Sequence, residues 1–289
     1  MFGAMKKIII ASFVLLFSTF GAFGQAEGIV WEKDFKKAQQ AARESGRPMM
    51  LDFTASWCKP CLAMDKEFWV REDVIQAAKP FIAVKINFDS ERGLVDKYKV
   101  NGIPFVAFTD PLGNMVTFRL GFSKKKVDEL NAIFNEMPKD FSPMKKFYDA
   151  LDLKKDDGLA LFQIANAYRG AKMLQLSGEF YRKGLKTPEI QADAEKKTNA
   201  FLALGVIYLN IGDYKQAAET MEDFLETNPT GDAKETALYF MTLAHTYNEK
   251  FKNADKYLQM MKTEFPGSAN IAKAEAAIEK VKSAPKKKD

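Results

Sequence analysis

Only two cysteines occur in the 289 residues, which excludes a disulfide-dense scaffold and a four-cysteine zinc site. A single histidine, His245, leaves no histidine-rich metal site and little room for a Ser-His-Asp arrangement. No metal and no cofactor is expected. Charge of one sign is also scarce. The formal balance is +5, and it falls to +3 without Lys6 and Lys7, too little to argue for a nucleic-acid partner. What is present suits a globular chain, with 47% hydrophobic and 28% charged residues. At ~100–200 residues per domain the length implies about two domains.

Met1 to Lys7 carries two lysines and no acid; an apolar run from Ile8 to Phe20 follows, then Ala22-Phe23-Gly24. Charged region, apolar region and small-residue end follow one another as in a secretory signal peptide. The reading is a signal over 1–24, cleaved after Gly24 or, as the alternative, after Ala26. An uncleaved membrane anchor is the competing interpretation; either way the rest is exported, with a periplasm as the expected compartment.

Trp31, Phe35, Ala38 and Ala42 recur at helical spacing, so a helix is expected over 31–44, ended by Gly46 and Pro48. Met49–Ala55 reads as a buried strand, Phe81–Phe88 as an alternating strand, and 105–109 with 115–120 as a strand-turn-strand unit. Short helices are expected over 62–68, 72–78 and 91–98, and a closing helix over 124–137. This is an α/β unit, a mixed sheet flanked by helices. Pro138 and Pro143 bracket a short polar linker, so 138–155 is expected to hold linker and first helix. Beyond it no β-branched strand run returns, and 156–283 is expected to be all helix, followed by a basic tail over 284–289.

The chemistry is expected at Trp57-Cys58-Lys59-Pro60-Cys61. Cysteines with two residues between them can close a disulfide only where the backbone turns, as at a helix start. Cys58 would then sit at the helix N-terminus, where unpaired N–H groups stabilise a thiolate, with Lys59 adding positive charge next door. Cys61, a turn further in, is expected to be more buried. Cys58 is therefore read as nucleophile and Cys61 as resolving thiol. Zinc would need ligands that Cys58, Cys61 and a distant His245 do not supply, and covalent haem attachment would need histidine where Leu62 stands. A permanent structural disulfide across one turn would constrain little chain entropy.

Met50-Leu51-Asp52-Phe53, the Trp before Cys58, Lys85 in the next strand and Gly102-Ile103-Pro104 together resemble thioredoxin over 31–137. The resemblance implies a thioredoxin fold over 25–137, a cis Pro104 facing the cysteines, and an Ile103 backbone available to a substrate chain. It also implies a buried Asp52 beneath Cys61 that handles its proton, with Lys85 nearby. Lys59 departs from the family's usual glycine. Cys61 to Phe68, followed by Arg71-Glu72-Asp73-Val74, resembles the C-terminal domain of DsbD-type membrane reductant conductors, which implies outward electron flow and a membrane or periplasmic electron donor. Tyr168, Tyr208 and Tyr247 recur at intervals of 40 and 39, and Phe201, Leu204, Gly205, Ala217, Met221 and Pro229 around the middle copy resemble a tetratricopeptide repeat. Such repeats imply a groove for a protein partner, and their spacing, above the family's 34 residues, implies longer inter-repeat loops.

The leading expectation is an exported reductase of protein disulfides; a disulfide oxidase or isomerase has the same parts. A non-enzymatic assembly scaffold is the third reading. His245 is read as a core or groove residue, and the Lys124-Lys125-Lys126 run as a solvated end that favours an acidic partner if it favours any.

Overall fold

The computed structural model of the chain describes residues 28–284; the expected signal peptide and residues 285–289 of the basic tail lie outside the described residues. Five strands, β1 (Trp31–Glu32), β2 (Met49–Thr54), β3 (Ile82–Asn87), β4 (Phe105–Thr109) and β5 (Met115–Leu120), form one sheet in the order β1-β3-β2-β4-β5. β1, β2 and β3 run parallel; β4 is antiparallel to β2 and to β5. Met49 to Phe53 is buried throughout, because central β2 is covered on both faces, and it therefore reads as a continuous apolar run. The helix expected from Trp31 begins only at Phe35. Asp34 caps α1 (Phe35–Ser45) by accepting from the N–H groups of Lys36 and Lys37, and Trp31 belongs to a two-residue strand too short to show a period.

On one face α1 and α4 (Arg92–Lys97) enclose a core that includes Ala38, Leu51, Val84 and Tyr98. On the other face lie α2 (Lys59–Glu67), α3 (Glu72–Ala78) and α5 (Lys124–Glu136). This second core, with Met64, Phe68, Phe108 and Phe134, does not stop at the sheet. It continues through Phe141, Met144 and Tyr148 into Leu161, Tyr168 and Tyr208. The polar linker expected between Pro138 and Pro143 is pinned at one residue: Asp140, Ser142 and Pro143 are exposed, but Phe141 is 1% exposed and its N–H donates to the Gly46 carbonyl at 2.7 Å. Gly46 has φ +70°, and a Cβ there would stand 2.4 Å from the Ser142 nitrogen, so the position requires glycine on both counts.

After α6 (Lys145–Leu153), helix pairs α7 (Gly158–Gly170) with α8 (Leu174–Leu185), α10 (Ala194–Ile211) with α11 (Tyr214–Glu226) and α12 (Gly231–Tyr247) with α13 (Phe251–Glu264) pack in succession, and α14 (Ala269–Ser283) closes the array. A short helix, α9 (Pro188–Ala192), is inserted between the first two pairs. The repeat interval is lengthened differently from the expectation. α10 and α12 run 18 and 17 residues, so between the second and third copies the extra length is in the helices rather than in loops. Each pair turns on one left-handed residue: Lys172 (φ 59°), Gly212 (φ 79°) and Glu249 (φ 55°).

Candidate active site

β2 ends at Thr54, and a turn closed by the Cys58 N–H on the Ala55 carbonyl (3.1 Å) delivers Cys58 to the N-cap of α2. Lys59 and Pro60 open the helix, where a missing N–H costs nothing because that donor would be unpaired anyway. Cys58 and Cys61 form a disulfide with Cα atoms 5.3 Å apart, and the Cys61 N–H donates to Cys58 Sγ at 3.2 Å. A thiolate released at Cys58 would inherit that donor and the positive end of the helix. Both cysteines are enclosed: Cys58 is 3% exposed and Cys61 2%. The expected difference in burial is therefore absent, and what distinguishes the two is the N-cap position of Cys58 and the Cys61 N–H that its sulfur accepts. Ile103 and Phe88 pack against the cluster of Ala55, Cys58 and Cys61, and the Ile103–Pro104 peptide bond is cis.

Asp52 and Lys85 are register partners on β2 and β3, which puts their side chains on one face. Asp52 is buried, and Lys85 Nζ donates to its Oδ2 at 2.9 Å. Burial pushes the Asp52 carboxyl above the ordinary carboxylate range, with the Lys85 charge pulling against it. Burial would lower the Lys85 ammonium, but Asp52 and Asp65 together hold it above its ordinary value. Trp57 is 61% exposed, its indole N–H donating to Asp89 Oδ2 at 2.8 Å and its ring edge-on to Phe88. Lys59 is exposed at the start of α2.

Three neighbours escaped the sequence reading. Asp65, on α2, is a second carboxylate on Lys85. Its position one turn beyond Cys61 on the same helix was a usable signal. The Trp31 ring lies 4.7 Å from Lys85 Nζ, hidden by the assignment of Trp31 to a helix. Asp89 carried no signal. His245 lies on α12, buried and stacked on Tyr257 at 5.5 Å, where burial lowers its pKa.

A helix-capping disulfide just past the end of the central strand of a mixed sheet, in a domain whose same strand carries a buried aspartate paired with a lysine, defines a thioredoxin-fold domain of the thiol–disulfide oxidoreductase class. The thioredoxin-like family profile matches residues 30–111, and a tetratricopeptide repeat profile matches 199–231. The thioredoxin of Mycoplasmoides gallisepticum is 32% identical over 81 residues, 28% of this chain and 77% of that protein. Thioredoxin H5 of Arabidopsis thaliana is 31% identical over 103 residues, covering 35% and 78%. The thiol:disulfide interchange protein DsbD of Ralstonia nicotianae is 29% identical over 114 residues, 36% of this chain and 19% of that protein. The chain thus spans under a fifth of the length of the DsbD relatives it matches. It belongs to the thioredoxin-like family, with a tetratricopeptide repeat array fused behind the redox domain. No helix among the described residues is long and apolar enough to cross a membrane.

Proposed function

We propose that the mature chain is an exported reductase of protein disulfides. In the reduced state the Cys58 thiolate attacks one sulfur of a client disulfide, forming a mixed disulfide and releasing the first client thiolate. Cys61 then gives up its proton and attacks Cys58 Sγ. The Cys58–Cys61 disulfide re-forms, the second client thiolate leaves, and two electrons have passed to the client, whose two sulfurs take up protons. Asp52 accepts the Cys61 proton, Lys85 sets the charge around Asp52, and Trp57, Lys59, Ile103 and Pro104 shape the surface the client meets. The observation that carries this reading is the Cys58 sulfur at the α2 N-cap, accepting the Cys61 N–H.

The assignment of direction is supported by the likeness of Cys61–Val74 to DsbD, a name under which several relatives are matched. A membrane or periplasmic donor, DsbD-like in chemistry, would return Cys58–Cys61 to the dithiol. The domain plan is a signal over 1–24, the redox domain over 25–137, a connecting segment with one helix over 138–155, and repeats over 156–283 that hold a protein partner. The test is the redox state of the pair in cells, read by thiol trapping, together with its reduction potential. A reductase is held as the dithiol at steady state and has a potential near that of thioredoxin, about −270 mV. A pair found oxidised in cells, with a potential near −120 mV, would assign the oxidase function instead.

A further inference from the structure

The sheet ends at β5, and no strand lies against its outer edge among the described residues. The Gly121 N–H donates to the Pro104 carbonyl at 2.8 Å, which sets the alternation of the β4–β5 ladder. Thr117 and Arg119 turn their main-chain groups inward to Phe108 and Val106, and Phe118 and Leu120 turn theirs outward. The side chains of Phe118 and Leu120 are 44% and 43% exposed. Two cavities of about 680 and 350 Å³ follow this edge and share Val116, Thr117, Arg119 and Gln175. The larger has the α7–α8 turn as its far wall and an apolar lining that includes Ile133, Met137, Met173 and Leu176. The trough also reaches the redox loop. A Cβ on Gly102 would stand 3.4 Å from Leu120 Cδ1, and Gly121 is bonded to the residue after Ile103.

We infer that this trough takes an extended segment of the client polypeptide as an added strand on β5, between the redox domain and the first repeat. The occupant follows from the chemistry of the edge. Outward N–H and C=O groups pair with another main chain, and alternate side chains of that chain would fall on the apolar lining. A second copy pairing through its own β5 would have to bring its sheet and repeats into a slot already walled by α7–α8, whereas a single extended chain fits. Continuity with the Gly102–Pro104 loop makes the chain whose disulfide is attacked the natural occupant. In the free protein Arg119 lies along the edge, Nη1 donating to the Phe118 carbonyl at 2.6 Å and Nε 3.0 Å from Glu129 Oε2. It covers the carbonyl until a client amide takes its place, as charged residues blunt other open edges.

The inference rests on the redox reading, and the test separates the two. The probe is a peptide of about 12 residues, alternating valine and threonine, long enough to pass the whole edge at ~3.3 Å per residue. It carries one terminal cysteine as a thiopyridyl disulfide and is given to the full-length Cys61→Ser protein. The Cys58 thiolate displaces thiopyridone and the peptide stays bound as a mixed disulfide. Amide exchange at Phe118 and Leu120 is expected to slow at least about tenfold, while Thr117 and Arg119, already bonded to β4, change little. A proline-interrupted peptide should attach without protecting them. Attachment with unchanged exchange at Phe118 and Leu120 overturns this inference and leaves the redox reading intact. Failure to attach overturns the redox reading and this inference with it. Protection that appears without peptide and grows with protein concentration assigns the edge to self-association, and the inference is wrong.

Discussion

Burial decides the state of Asp52 more than its pairing does. Its carboxyl is held above the ordinary range although Lys85 stands 2.9 Å away, because Lys85 is shared with Asp65 and Asp52 is enclosed in the sheet. Folded Asp52 therefore keeps its proton to higher pH than unfolded Asp52. The native state binds more protons as pH climbs from about 4 through the raised folded value, so stability falls across that window. Asp52→Asn should remove this slope: the variant gains on the natural chain more at pH 8 than at pH 5, read from urea midpoints. The same variant should slow resolution of the Cys58 mixed disulfide by about 10²-fold at neutral pH, the usual contribution of a positioned base, with the first attack less affected. Resolution rates unchanged across pH 6–9 would reduce Asp52 to a packing residue. The cysteines were legible from their spacing, and Asp52 and Lys85 only through the resemblance to thioredoxin. Asp65 offered a signal only in its place one turn beyond Cys61, and Trp31 offered none, because both roles depend on which residues the helix face and the sheet register bring to Lys85.

At the scale of elements, the strands with a clear pattern were placed well: 105–109 and 115–120 agree with β4 and β5 at both ends. β1 was missed because Trp31 satisfies both a two-residue strand and the apolar stripe of the helix behind it. The repeat helices were visible in their small and aromatic positions. Gly205 shows why such a position must be small: a Cβ there would come within 2.9 Å of Met221 Cε and Phe240 Cδ2. Less visible was that the three inter-helix turns all need a left-handed residue, since only the middle one is glycine. Glu249 has φ 55°. A left-handed L-residue costs ~1–2 kcal/mol and glycine loses ~0.5–1 kcal/mol in chain entropy, so Glu249→Gly should stabilise the array by about 0.5–1 kcal/mol. Gly212→Ala, at φ 79° with nothing within 4 Å of the added Cβ, should lose about 1 kcal/mol through the backbone alone. Urea denaturation of the two variants checks both signs. If both shift in the same direction, the turns are not equivalent.

The whole molecule differs most from its sequence at the joint, because burial between distant segments leaves no local period. Asp110 looks like an ordinary turn residue, yet it is fully enclosed. It accepts from the Asn114 N–H at 2.8 Å and side-chain amide at 2.7 Å, and from the Tyr168 hydroxyl of α7, which in turn lies 3.1 Å from the Tyr148 hydroxyl of α6. Burial raises the Asp110 carboxyl even with these donors in place. Phe141 packs edge-on to the same Tyr168 ring, and Arg43 of α1 donates to the Tyr148 carbonyl and pairs with Asp152. One apolar core thus runs from the sheet face into the second helix pair, so the redox domain and first repeats should unfold together. Tyr168→Phe keeps the ring but leaves Asp110 one donor short in a site water does not reach, a loss of about 1–3 kcal/mol. The deficit should grow as pH rises, since a more fully ionised Asp110 needs the missing donor most. In calorimetry the natural chain should give one main transition spanning both halves, and Tyr168→Phe should lower it, more at pH 8 than at pH 5. Two well-separated transitions in the natural chain, with Tyr168→Phe moving only one, would show that the joint couples nothing and that the redox domain stands by itself.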